Sequence, residues 1–260
     1  DKIIYKTIAQ NIQDAIFAIP VGFNCEDVAV AWECIKEAKK PRLQVELPVS
    51  TIQMEYTYHV KQAKMLEKIT ALIKEAKALC SDVEFSALDA TRADIDFLIS
   101  AVKMAETNGA GVVTVCDDAG VSTPENIADL VAKVKEAVSI PVYVQVSDKI
   151  NMGVASAFAA VSKGADGIKC AMAGKDILLT CEISDAMSVC GSEIDAQIKL
   201  DTTKIHASIG DMISKISHKD YSVGDVDESK KILLDEESTL ADVMASAVKL
   251  GYDLSEADCG

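Results

Sequence analysis

Between Val83 and Met172 the chain alternates short apolar runs with amphipathic stretches, and this rhythm constrains the fold more than any other feature. Four runs succeed one another: VEFSALDATR, GVVTVCDDAGVSTP, PVYVQVSDKI and GIKCAM, each but the last followed by an amphipathic helix. Apolar strands alternating with helices imply a parallel sheet covered by helices. In such architectures the chemistry gathers where the C-terminal ends of strands meet the following loops, so the polar residues at those ends are the ones to weigh.

The remainder of the chain extends the pattern in both directions. Residues 3–12 read as the end of a helix, Ala15 to Pro20 as a short buried strand, and Asn24 as the cap of a helix over Glu26 to Lys39, with Val28, Ala31, Trp32 and Ile35 at helical spacing. Arg42 to Leu47 follows as a strand in which Leu43, Val45 and Leu47 face one way, Gln44 and Glu46 the other. If the apolar set packs on helices, Gln44 and Glu46 point to a barrel interior. A long loop, PVSTIQMEYTYHV, reads as a functional or interface segment before a helix from Gln62 to Leu79. Next come a strand at Val83 to Ser86, a helix at Ala93 to Thr107 closed by Asn108-Gly109, and a strand at Val112 to Cys116. Thr123-Pro124 opens another helix, Val142 to Val146 is a strand, Asn151 to Val161 a small-residue helix, and Gly167 to Met172 the last strand. That makes six strands against the eight of a closed (β/α) barrel. The fold class is therefore α/β: a TIM-barrel-like parallel sheet over residues 1–190, with a helical appendage over 191–260 that includes a charged linker near Asp225 to Lys231 and a helix at Thr239 to Leu250.

Composition narrows the partners. A net charge of -15 argues against nucleic acid and anionic membrane, both of which are bound through clustered Lys and Arg. No apolar run is long enough to span a bilayer, and DKIIYKTIAQ has no export-signal core. The eight cysteines are scattered without a CxxC pair, which fits reduced thiols in a cytoplasmic protein better than a disulfide framework.

KPRLQVELPVSTIQMEY, DVEFSALDATRADIDFL and GVASAFAAVSKGADGIKC together resemble the catalytic barrel of 2-isopropylmalate synthase and its superfamily, which includes homocitrate synthase and hydroxymethylglutaryl-CoA lyase. The carriers of the resemblance are DATR, DxxGxxTP and the GA turn at set separations, and the resemblance is strongest from Lys40 to Lys169. It implies a metal-dependent TIM barrel in which a divalent ion chelates a 2-oxo acid, the carbon of acetyl-CoA attacks the keto group, and the thioester is hydrolysed. It also implies metal ligands from an aspartate on the first strand and from an HxH pair on the seventh. Here the chain begins within the helix after the second strand of that pattern, so the first-strand motif is absent. Where HxH belongs, the chain reads Gln145-Val146-Ser147, followed by Asp148-Lys149; Gln44 stands for a histidine, Leu88 for a glutamate and Asp118 for a threonine, and GKDILLTC replaces a glycine-rich loop. Asp89, Thr91, Arg92, Asp117, Gly120 and Pro124 are kept.

The expectation is accordingly a condensing-enzyme scaffold without metal-dependent activity of its own, acting as a degenerate or partner subunit, with no metal or cofactor bound. Its edges would be covered in a homo-oligomer or by a partner chain completing the sheet. The alternative is an active acyltransferase or lyase with a remodelled site. For that alternative Arg92, Lys169 and Glu84 are the candidate catalytic residues, and Gln44, Asp117, Asp118, Gln145 and Ser147 the candidate substrate contacts. Lys169 suits a Schiff base if desolvated, or else a structural ion pair with Glu84 or Glu46. Arg92 suits a substrate carboxylate, or else Asp89 and Arg92 pair with neighbouring carboxylates or cap the helix beginning near Ala93. Asp117 and Asp118 suit a cation, or else a solvated turn. Glu46 and Glu84 suit acid/base work across the barrel, or else salt bridges. Cys116 and Cys170 read as inert buried thiols.

Overall fold

A computed structural model describes residues 2–196 and 200–217. Two compact units divide the chain, residues 1–209 and 210–260, and the barrel-like elements all lie in the first. The linker near Asp225 and the helix at Thr239 fall outside the described residues.

Six strands form one sheet in sequence order, β1 (Phe17–Val21), β2 (Pro41–Pro48), β3 (Val83–Leu88), β4 (Val112–Cys116), β5 (Val142–Gln145) and β6 (Gly167–Lys169). Every neighbouring pair is parallel, and the sheet curls as part of a barrel wall, with β1 and β6 as its margins. The connecting helices are α1 (Lys2–Asn11), α2 (Cys25–Ile35), α3 (Gln62–Leu79), α4 (Ile95–Thr107), α5 (Pro124–Ala137) and α6 (Gly153–Ser162), with α7 (Thr180–Cys190) and α8 (Thr202–Ser217) after the last strand.

One layer of side chains explains why these segments assemble. Leu43, Val45 and Leu47 of β2 are wholly buried, as are Val83, Phe85 and Ala87 of β3, Val113 of β4, and Ile69, Leu72 and Ile73 of α3. Sequestering each large aliphatic or aromatic group from water stabilises the fold by about 1.5–3 kcal/mol, so this sheet–helix layer dominates the energetics. The opposite parity of the same strands carries polar groups. Parallel register then sets Gln44 beside Glu84; Glu46 in a row with Ser86, Thr114, Tyr143 and Gly167; and Cys116 beside Gln145 and Lys169. Gly167 is required in its row, because a Cβ there would meet the Tyr143 ring at 2.8 Å.

Local signals explain most helix starts. Asp94 caps α4 by accepting a hydrogen bond from the Phe97 backbone N–H at 3.0 Å, and Thr123 caps α5 with Pro124 in the first turn. The helix expected from Ala93 therefore begins at Ile95, after a separate 3-10 turn over Ala90–Arg92. Two further corrections concern the end of the barrel. The last strand stops at Lys169 rather than Met172, because Ala171 already bonds to the returning segment at Leu178 and Thr180. That run too is followed by a helix, α7, so the strand–helix alternation continues through it. The long loop after β2 contains a π-helical turn, Gln53–Thr57, built on buried Met54.

Candidate functional site

The concave polar face is organised by Glu84, whose side chain is almost wholly buried near the start of β3. Lys169 Nζ of β6 reaches it at 2.6 Å, Thr114 Oγ1 donates to it at 2.7 Å, Ser86 Oγ lies at 3.2 Å, and Arg42 Nη1 stands at 3.5 Å from its other oxygen. Arg42 is in turn held by Asp82 at 3.0 Å. Burial raises the pKa of Glu84, but Lys169 and the hydrogen bonds overcome it and leave the carboxyl below its ordinary value. The amine of Lys169 thus serves as the cation of an ion pair, whereas a Schiff base needs its free lone pair. Glu46, one row nearer the strand ends, accepts a hydrogen bond from Gln44, and burial raises its pKa. Strand parity brings Glu46 and Glu84 to one face, while the cations divide unequally between them.

A second cluster forms where β2, β3 and β4 run into their loops. Asp89 is fully buried and adopts a left-handed backbone, φ 56°. Its carboxylate takes Arg92 through Nε at 2.8 Å and Nη2 at 2.7 Å, and it also accepts from Ser50 Oγ. Thr91 Oγ1 and the Gly120 N–H donate to Asp117 at 2.7 and 3.1 Å, and the Asp89 N–H donates to Asp118 at 2.6 Å. Burial, followed by repulsion from Asp89 and Asp117, raises the pKa of Asp118. The retained DATR and DxxG residues therefore bind each other, joining the loops after β3 and β4.

Ser147 lies just beyond β5 and donates to the Asp176 carbonyl at 2.9 Å; the Asp148 N–H reaches the same carbonyl at 3.0 Å, and Ser147 bridges to Ile177. This fastens the segment after β6 across the end of β5. Lys149 Nζ donates to the carbonyls of Asp118 and Ala119 at 3.1 and 3.3 Å, so the loops after β4, β5 and β6 are knit together.

The structure thus brings Glu84 and Lys169 together, places Gln145 beside Lys169 in register, and pairs Gln44 with Glu46. Arg92, Asp117 and Asp118 belong to the separate loop cluster, and Ser147 to the anchored segment. The helix cap expected of Asp89 and Arg92 is supplied instead by Asp94. Sequence reasoning missed Ser50, Thr114 and Arg42. Thr114 and Arg42 were accessible through strand parity, because each shares a face with Glu84; nothing in the sequence singles out Ser50, whose partner Asp89 is brought to it by the fold. Cys116 is buried, and burial first, then Asp118, drives its thiol well above the ordinary range, with Lys169 opposing. The divalent ion that the resemblance implies does not fit these residues: among the described residues no three His, Cys, Asp or Glu converge to hold an ion, and the end of β5 offers an amide and a hydroxyl where imidazoles would serve. Nor is any helix among them long and apolar enough to cross a membrane.

Comparison with known proteins agrees with this scaffold. The HMGL-like family model matches residues 3–213. The 2-isopropylmalate synthase of Carboxydothermus hydrogenoformans is 31% identical over 178 residues, covering 67% of this chain and 35% of its own length. That of Clostridium kluyveri is 32% identical over 173 residues, covering 65% and 34%. The chain thus spans about a third of the length of these relatives. The solved hydroxymethylglutaryl-CoA lyase of Pseudomonas aeruginosa superposes with a TM-score of 0.69 at 14% identity, over 83% of this chain and 75% of the lyase, a likeness of fold alone.

Proposed function

Because this chain belongs to the HMGL-like family, we propose that it is a 2-isopropylmalate-synthase-like scaffold that does not itself carry out metal-dependent condensation of a thioester with a 2-oxo acid, and that it acts as a partner subunit. The observation that carries the reading is the state of the concave face. Its deepest carboxylate, Glu84, is neutralised by the chain's own Lys169, and Ser147, at the position of a ligating histidine, is spent on holding the Asp176 carbonyl. A Lewis acid must be held by several hard or borderline donors aimed at one point. These side chains bond to one another instead.

The retained DATR and DxxG residues fit the same reading, since their hydrogen bonds stabilise loops irrespective of any substrate. Acetyl-CoA and 2-oxoisovalerate, with Mg2+, Mn2+ or Zn2+ added in turn, provide the test. We expect no metal-dependent rise in melting temperature and no release of free thiol above the buffer rate. Metal-dependent thiol release by the purified chain would overturn the reading.

A further inference from the structure

The loops at the two ends of the sheet differ in a way that the interior ion pairs do not require. Where the strands finish, large apolar and aromatic side chains stand exposed on four loops: Ile52 and Tyr56 after β2, Val121 after β4, Ile150 and Met152 after β5, and Met172 after β6. Tyr56 is 77% exposed and Val121 65%. Where the strands begin, the loops leading into β2 to β6 expose no such side chain among the described residues. The strands are parallel, so the four loops rim one mouth of the concave face. Apolar groups scattered singly over a surface need no explanation, but a set confined to one end marks a contact surface. Tyr56 is lifted outward by the π-helical turn that buries Met54, and such turns recur at functional positions.

The charges inside the rim say what kind of partner fits it. Glu46 and Asp118 form no ion pair among the described residues: Glu46 accepts from the neutral amide of Gln44, and Asp118 from the Asp89 N–H. The cations that act on them are held elsewhere, Lys169 by Glu84 and Lys149 by the carbonyls of Asp118 and Ala119. Burial, and after it repulsion from other carboxylates, raises the pKa of both, and an arriving cation would reverse that shift. We infer that this mouth is a docking surface for a protein partner that directs one arginine or lysine at Glu46 and Asp118 and lays apolar side chains on the surrounding rim. A cation ringed by apolar contacts that exclude water is the arrangement in which a few residues carry most of the binding energy. A second copy is the wrong occupant, because a chain of net charge -15 would bring its own Glu46 and Asp118 against their counterparts. The inference rests on the partner-subunit half of the function proposed above and supplies the chemistry of the partner.

A displayed library of random peptides, selected on the 260-residue chain, provides the test. The enriched peptides should carry an arginine or lysine flanked by apolar residues. In a synthetic copy of the best of them, replacing that cation by glutamine should weaken binding about tenfold, and Glu46→Gln with Asp118→Asn in the chain should do the same. Tyr56→Ser with Val121→Ser, at exposed positions that leave folding intact, should also weaken it about tenfold. Absence of enrichment, enriched peptides without a cation, or binding indifferent to either pair of substitutions would overturn the inference. So would sedimentation showing that the chain pairs with itself and that Tyr56→Ser with Val121→Ser separates the copies. Metal-dependent thiol release, by contrast, would remove the non-catalytic reading and leave this surface standing.

Discussion

Lys169 Nζ lies 2.6 Å from Glu84 Oε1 and so ties the last strand of the sheet to its third across the concave face. The two ends of this pair differ in burial: Glu84 keeps 2% of its side-chain exposure and Lys169 keeps 24%. Removing the lysine strands a carboxylate in the interior, whereas removing the carboxylate leaves an ammonium that water reaches. Lys169→Met is therefore expected to cost about 3 kcal/mol, the lower end for a broken buried pair, since Thr114 and Arg42 still support Glu84. Glu84→Gln is expected to cost clearly less. Urea denaturation of both variants checks the asymmetry; equal losses would show that the difference in burial does not decide the cost.

The depressed pKa of Glu84 sets an acid limit. A carboxyl whose folded pKa lies below its unfolded value adds stability that is present above the unfolded pKa and is lost as pH falls through the folded one. The wild-type chain is thus expected to lose stability below about pH 4, starting from the ordinary glutamate range. In Glu84→Gln the acid slope of the unfolding free energy should be shallower.

Glu46 has the opposite sign. Burial raises its folded pKa, so its contribution is fully present below the unfolded value and is lost as pH rises through the folded one. Glu46→Gln keeps an acceptor for Gln44 and discards the charge. The variant should melt higher than wild type at pH 7 and match it near pH 4. A lower melting temperature at pH 7 would show that the Glu46 charge is needed by Lys169, which lies near enough to oppose the shift.

Strand positions were legible because the side-chain alternation in RLQVEL and VEFSAL is clean, and it alone puts Gln44, Glu46 and Glu84 on one face. Asn24, Thr123 and the Asn108-Gly109 stop were legible for a local reason: capping is decided within four residues, and Gly109 takes φ 111°, which other residues resist. Choices of partner were not legible. Lys169 had two acceptors of the right parity, and selection of Glu84 over Glu46 depends on how the β-rows stack across the curved sheet. The π-helical turn at Gln53–Thr57 and the anchoring of Asp176 by Ser147 likewise arise from tertiary contact, for which sequence spacing carries no signal.

The joint between the loops after β4 and β5 rests on Gly120, and this yields the sharpest local expectation. Gly120 has φ 66°, donates its N–H to Asp117, and leaves no room for a Cβ, which would collide with Ser147 Oγ. Gly120→Ala therefore combines left-handed backbone strain of about 1–2 kcal/mol with displacement of Ser147, whose bond to the Asp176 carbonyl is worth about 1 kcal/mol more. Ser147→Ala removes that bond without the clash, so it should cost only the smaller amount. Both variants should free the segment after β6, read as faster proteolysis between Met172 and Leu178, with Gly120→Ala the more stability-impaired of the two. In Gly120→Ala/Ser147→Ala the closest collision, with Ser147 Oγ, is removed, while those with Ser147 Cβ and Lys149 Cδ at 2.9 Å and the strain remain, so the double variant should recover part of the loss. If the double variant is as unstable as the sum of the singles, the collision with Ser147 Oγ is not the cause, and the strain at residue 120 together with the remaining contacts to Ser147 Cβ and Lys149 carries the effect.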